Sequence, residues 1–356
     1  MTWWRRWREG GRQAASGASP GKGSRVDRVL QAAAIAEADG DAGAMHKASN
    51  SLIRLELYER AWQLRINAAR LTEQSPLPEW DGDDLTGRTI LVRAYTPRDR
   101  IGEELRLARF IAPVARQARR AIVLAEHRLV PLLRRSFAGA DVRPRGVDNA
   151  AAFAEADVAA YYETIALRYA KTAEAMRGAF VPLQADPARS RSLRQRYAQG
   201  SGGPLIGISW GSSNEHKVLP PLTSWAPLLG WPSATFVALQ YGDIDRDLEV
   251  LREFGGRVIN DTEIDQRVDL DGFAAQIAAL DAVVSISNTT IDMAGMLGVP
   301  TVHVRDDKPS AIWPRSGPSP WYPDMTFLYR GERPWPELFA DAKARLERLT
   351  ASSAST

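Results

Sequence analysis

A chain of 356 residues, 44% hydrophobic and 25% charged, has the composition of a globular protein with room for two domains, each with its own core. Zero cysteines exclude disulfides, thiolate metal sites and cysteine nucleophiles, and only four histidines (His46, His127, His216 and His303), no two at ligand spacing, leave little basis for a metal cluster or a triad. The formal charge of +3, with no apolar run of about 18 residues and no signal-peptide pattern, predicts a cytoplasmic protein that neither spans a membrane nor binds nucleic acid.

Residues 1–24 begin MTWWRRWREGGR and continue rich in Gly, Ser and Ala, the composition of a flexible basic arm. Trp3, Trp4 and Trp7 between arginines are also the pattern of a segment resting on a membrane surface, so peripheral membrane contact is a second reading of the arm. Residues 25–77 have helical spacing, with Val26, Val29, Leu30 and Ala33, then Leu52, Leu55, Ala61, Leu64 and Ile66. The break at Asp39-Gly40-Asp41 predicts a short α-helical hairpin, and its alternation of small and large residues is that of one tetratricopeptide-type unit.

The link SPLPEWDGDDLTG then opens an alternating series: strand RTILVRAY, helix EELRLARFIAPVARQA, strand AIVLAEH, a helix over 129–137, and a helical pattern over 161–177. Residues 189–203 are polar and read as an interdomain crossing. Beyond them the alternation restarts with strands PLIGISW, TFVALQ, RVIND, AVVSIS and PTVHV separated by helical stretches. Strands alternating with helices mean parallel sheets with right-handed crossovers. The predicted architecture is α/β: two Rossmann-like doubly wound domains, 78–195 and 200–350, facing a cleft.

The sharpest local signal is AVVSISNTTIDMAGMLGVPTVHV, an apolar strand that ends in Ser287-Asn288-Thr289-Thr290 and runs into a helix. Ser, Asn and Thr cap helix N-termini, where exposed amides favour an anion; the same residues also serve simply as caps. A second strand ends in Gly211-Ser212-Ser213-Asn214-Glu215-His216-Lys217, where small residues let amides approach a phosphate and Lys217 supplies a point charge. A third ends in Leu239-Gln240-Tyr241-Gly242-Asp243, where Tyr241 either stacks on a base or packs under the loop. Neither a Walker pattern nor GxGxxG is present.

The blocks GISWGSSNEHK, FVALQYGD, SISNTTIDMAGMLGVP and SGPSPWYPDMTFLYR resemble, in order and spacing, the C-terminal half of GT-B glycosyltransferases. They are most similar to the heptosyltransferase-like (family 9-like) enzymes fused to tetratricopeptide repeats in bacteria. The resemblance extends over roughly 78–345. It implies a nucleotide-sugar donor, held as substrate with no cofactor or metal, and a protein or glycan acceptor presented by the N-terminal half. By motif position, Trp210, Gly211, Ser212 and Lys217 would meet the diphosphate and Gln240 and Tyr241 the nucleoside. Ser287, Asn288, Thr289 and Thr290 would cap the phosphates. Two departures stand out. Gly102-Glu103 replaces the Gly-Asp pair whose carboxylate is the acceptor's general base, which makes Asp99 a rival base, with Arg98 and Arg100 as acceptor-binding residues that would hold an acidic acceptor or donor. Asp292 replaces a histidine, as a hydroxyl acceptor, a partner for a base such as Lys217, or a first-turn acid. These departures leave a catalytically degenerate binding module as the alternative to a glycosyltransferase.

Overall fold

The computed structural model describes residues 24–73, 75–95, 101–146, 149–214, 217–308, 310, 312–314 and 317–353. The arm up to residue 23, the loop with Arg98, Asp99 and Arg100, and Glu215 and His216 lie outside the described residues.

Ser24 opens the first helix, Arg25–Ala38, through a capping box: its hydroxyl accepts from the Asp27 amide while the Asp27 carboxylate accepts from the Ser24 amide. Helices Ala42–Arg54 and Tyr58–Thr72 follow, so the expected hairpin is a three-helix segment. The additional break falls at 55–57, where Glu56 takes φ 58°, a left-handed conformation that a helix interior does not admit. The segment docks firmly. Trp62 is fully buried, its indole donates to the Ala170 carbonyl at 2.9 Å, and its ring meets Trp321 edge-on at 6.3 Å.

The first sheet contains β1 (Thr89–Arg93), β2 (Arg120–Ala125), β3 (Ala140–Pro144) and β4 (Val158–Tyr161), all parallel, in the order β3-β2-β1-β4. The second contains β5 (Leu205–Ser209), β6 (Thr235–Ala238), β7 (Arg257–Ile259), β8 (Ala282–Ser285), β9 (Thr301–Arg305) and β10 (Met325–Tyr329), again parallel, in the order β10-β9-β8-β5-β6-β7. Every residue of β1, β5, β8 and β9 is buried, as a parallel sheet covered on both faces requires. The doubly wound two-domain expectation therefore holds.

Local deviations from the expected helices have local causes. The stretch expected as one helix from Glu103 is split into helices Ile101–Leu107 and Ile111–Gln117 by a 3-10 turn at Ala108–Phe110. Pro113 lacks the N–H that would bond the Arg109 carbonyl, so the α ladder does not continue through. The 161–177 pattern resolves into Tyr162–Tyr169 and Ala173–Gly178, the second capped by Thr172. Much of the expected crossing 189–203 is helical, as Pro187–Ala198, and it is pinned to the second sheet's helices by Arg189–Asp269 at 2.6 Å and Arg194–Asp281 at 2.7 Å. One apolar cluster runs from the N-terminal helices through the first domain into helix Thr289–Met296, so the two halves share a buried seam beneath the cleft.

Candidate functional site

Each sheet reverses its winding direction at one place: between β1 and β4 in the first, between β5 and β8 in the second. At such switch points the connections diverge above and below the sheet and leave a crevice beyond the strand ends. The loops from these two crevices line a single cleft of about 570 Å³.

On the C-terminal side, Asn288 is the N-cap of helix Thr289–Met296. Its Oδ1 accepts from the Thr290 amide at 3.1 Å and from Ser285 Oγ at 3.1 Å, while its Nδ2 donates to Ser209 Oγ at 2.7 Å and to the Gly211 carbonyl at 3.1 Å. One side chain thus caps the helix and ties it to the end of β5. Lys217 reaches across from the β5 loop and donates to the Ser287 carbonyl. Burial lowers the Lys217 pKa, with Arg305 adding to the effect and Asp292 opposing it. Ser287 Oγ lies 2.7 Å from Nε2 of His303, whose burial beside Arg305 and Lys217 holds it well below its ordinary pKa and therefore neutral. Lys217, Arg305 and Lys308, set against Asp306, leave this wall net cationic around the N-terminus of an eight-residue helix, a setting for an anion.

The opposite wall is Gly102, Glu103 and Arg106 from helix Ile101–Leu107, joined by Asn50 and Arg54 from helix Ala42–Arg54. Glu103 is 7% exposed, and its Oε1 accepts from Arg65 Nη1 at 2.7 Å. The adjacent Glu104 points away and ties down the end of β2: its Oε1 accepts from the Glu126 amide at 2.9 Å and Arg145 pairs with it at 3.1 Å. Two neighbouring first-turn acids thus have opposite surroundings.

Of the residues expected in the site, Glu103, Lys217, Ser287, Asn288, Thr289 and Asp292 line this one cleft. The other expected residues that are described, Trp210, Gly211, Ser212, Gln240, Tyr241 and Thr290, are not among those lining it. Trp210 is buried in the core and donates its indole N–H to Asp247 at 2.7 Å. Gln240 is a loop latch: its Oε1 accepts from Ser209 Oγ at 3.2 Å, the Trp210 amide at 3.2 Å and the Gly211 amide at 2.7 Å. An added Cβ on Gly211 would sit 2.9 Å from Gln240 Nε2, so this glycine serves the latch. The Ser212 hydroxyl accepts from the Asn214 amide at 3.2 Å, and the Tyr241 hydroxyl accepts from the Ser213 amide at 3.2 Å beneath the Arg267 guanidinium. Thr290 is buried against Ser209.

Asp292 is a first-turn acid that pairs with a nearby base, as weighed in the sequence, but the base is Arg106 of the first domain and not Lys217. It accepts from Arg106 Nη1 at 2.7 Å and from the Tyr322 hydroxyl at 2.8 Å, in a position where Gly102 alone lets the first domain close on it. Burial opposes the Arg106 charge, but Asp292 more than offsets it and holds the guanidinium ionised. Sequence reasoning also missed Arg65, Asn50, Arg54 and Arg305. Arg106 alone carried a local signal, one helical turn beyond Glu103.

No family model matches the chain. Over 275 residues it is 30% identical to Protein FlbA of Caulobacter vibrioides, an alignment that covers 71% of this chain and 45% of that protein, so the chain spans about half the length of the curated relative it matches. Among solved structures it is similar to the E. coli ADP-heptose lps heptosyltransferase II, with TM-score 0.52 and 15% identity over 73% of this chain and 99% of that one. A glycosyl transferase family 9 structure from Veillonella parvula aligns with TM-score 0.48 and 12% identity over 70% of this chain and 88% of that one. The E. coli likeness shows the fold: two parallel-sheet domains in the GT-B arrangement of a glycosyltransferase.

Proposed function

We propose that the chain is a glycosyltransferase that moves a sugar from a nucleotide-sugar donor to a protein or glycan acceptor without a metal ion. The observation that carries this reading is one cleft with a carboxylate from the first domain facing a cationic helix N-terminus from the second. The GT-B likeness to the E. coli ADP-heptose lps heptosyltransferase II supports a nucleoside diphosphate as the leaving group. In this reading Glu103 accepts the proton of the acceptor hydroxyl as that oxygen attacks the anomeric carbon. The bond from the anomeric carbon to the diphosphate breaks, and its electron pair leaves with the nucleoside diphosphate. Lys217 and the Thr289 end of the helix stabilise the developing charge, a preorganised arrangement that works best in a cleft largely closed to water. Asn288 and Gln240 act one step back, fixing the loops that bear these groups. The reaction is expected in the cytoplasm, where nucleotide sugars are available.

The ion pair between Glu103 and Arg65 favours a second reading, in which the carboxylate is structural and the module binds nucleotide without turnover. Calorimetry and a transfer assay separate the two. A panel of nucleoside diphosphates and nucleotide sugars first identifies the donor by its shift in unfolding midpoint, about 2.7 kcal/mol of stabilisation at a hundredfold excess over Kd. With that donor, Glu103→Gln should cut turnover by about 10²-fold or more while donor affinity stays within a fewfold of wild type. Unchanged turnover would remove Glu103 from the mechanism, and absence of turnover in the wild-type protein despite donor binding would favour the binding module.

A further inference from the structure

We propose that Arg65, on the third N-terminal helix, is a positioning residue for Glu103, and that the buried Glu163 is a second carboxylate on the same guanidinium whose protonation sets how strongly Arg65 holds Glu103. The proposal rests on the reading of Glu103 as the base. It makes the N-terminal helices part of the reaction centre instead of an appended module.

The topology brings the two carboxylates together. Glu103 sits in the first turn of the helix that follows β1, and Glu163 is the second residue of the helix that follows β4. β1 and β4 are neighbours at the switch point of the first sheet, so both acids open from the same crevice. Arg65 enters from above and is 6% exposed. Its Nε donates to Ser49 Oγ at 3.1 Å and its Nη2 to Asn50 Oδ1 at 2.9 Å, two contacts from helix Ala42–Arg54 that fix the plane of the guanidinium. Nη1 is thereby aimed at the acids, 2.7 Å from Glu103 Oε1 and 4.0 Å from Glu163 Oε1. A planar fork held at two corners orients whatever binds the third, which a flexible lysine does not do.

Glu163 is 1% exposed, and no other residue hydrogen-bonds either of its carboxylate oxygens. A buried carboxylate left in that state is costly as an ion, so the group prefers its proton. Burial raises its pKa to about 7, with Arg65 opposing and the nearby Glu103 and Glu73 reinforcing the rise. The phenols of Tyr161 and Tyr162 also face it, and burial keeps both neutral, Tyr161 titrating at about 12 and Tyr162 well above its ordinary range. With Glu163 protonated, the whole charge of Arg65 serves Glu103 and holds it as an oriented carboxylate. When Glu163 ionises, a second negative charge shares the guanidinium, and Glu103 becomes a stronger base.

The test uses the full chain labelled with ¹³C at the glutamate carboxyls and followed by NMR across pH, with the two resonances assigned by their loss in Glu103→Gln and Glu163→Gln. The expected result is a Glu163 midpoint near 7 and an inflection of the Glu103 resonance at the same pH, absent in Glu163→Gln. Arg65→Met should raise the Glu103 midpoint by about one pH unit or more, and Arg65→Lys should recover part of that change. A Glu103 curve insensitive to both Arg65→Lys and Glu163→Gln overturns the proposal, even if Arg65→Met fails to fold. No substrate is needed, so this result is independent of whether Glu103→Gln abolishes transfer. In a transfer assay the limb of the kcat/KM profile near neutrality should disappear in Glu163→Gln with donor KM unchanged; a profile identical to wild type counts against the coupling.

Discussion

At the scale of single residues, the cleft is defined by charges that burial has made expensive. Lys217 is half out of water, and its pKa is lowered mainly by that burial. In the proposed reaction a diphosphate would supply the counter-charge, so its binding should draw a proton onto Lys217. Affinity for the donor's nucleoside diphosphate is therefore expected to fall at alkaline pH earlier than an ordinary lysine would dictate, and Lys217→Ala should weaken it by about 10-fold or more and abolish that pH dependence, both read by calorimetry. Glu163 gives a stability prediction of definite sign. Its carboxyl is raised from 4.5 to about 7 in the folded chain, so the folded state binds the proton more tightly than the unfolded one. Its stabilising contribution is complete below about pH 4.5 and is lost as pH rises through 7. Glu163→Gln removes that loss, worth at most roughly 3 kcal/mol at one pKa unit per 1.36 kcal/mol. Thermal unfolding of wild type should weaken between pH 5 and 8 more than that of the variant; parallel curves would show that Glu163 does not titrate in this window.

At the scale of elements, helix Ile101–Leu107 meets helix Thr289–Met296 through a contact that glycine makes possible. A Cβ on Gly102 would overlap the Asp292 carboxylate, which Arg106 and Tyr322 hold in place. Gly102→Ala is therefore expected to cost about 1–3 kcal/mol in thermal or denaturant unfolding, as overpacking at a rigid buried contact does. The Arg106–Asp292 pair itself bridges the two domains, with side chains 10% and 8% exposed. Removing one partner leaves the other charge buried, so Arg106→Met should destabilise by about 3–5 kcal/mol. The double variant Arg106→Met/Asp292→Asn should recover most of it, because no charge is then stranded and Tyr322 keeps an acceptor. Equal loss in single and double variants would mean that packing, and not charge, holds this junction.

At the scale of the whole molecule, the N-terminal helices, the first domain and the second domain converge on one cleft. Much of this was legible in the sequence. Fully apolar strands alternating with helices at short spacing specify a buried parallel sheet, because hydrogen bonding and burial leave that pattern few other folds. The turn Ser287-Asn288-Thr289-Thr290 was legible as a helix N-terminus because capping is local chemistry, complete within a few residues. Helix interruptions were less legible: Pro113 ends an α ladder a turn earlier than its own position, and Glu56 breaks the helical segment with no glycine to mark it.

The sequence by itself determined the two wound domains, the capped turn and Lys217 as a point charge beside it, since each follows from periodicity or from residues close in the chain. Glu103, in contrast, was singled out only by the resemblance to GT-B glycosyltransferases. The tertiary structure alone decided which of the expected residues face the cleft. Trp210 and Gln240, just past the ends of β5 and β6, turn inward onto Asp247 and onto the amides of the Gly211 latch, and Thr290, in the first turn of its helix, is buried against Ser209. It also decided that Asp292 joins two domains and that Arg65 reaches Glu103 across 38 positions of sequence. Such pairings depend on the docking of separate elements, and a charge in a sequence carries no record of which distant opposite charge will desolvate it.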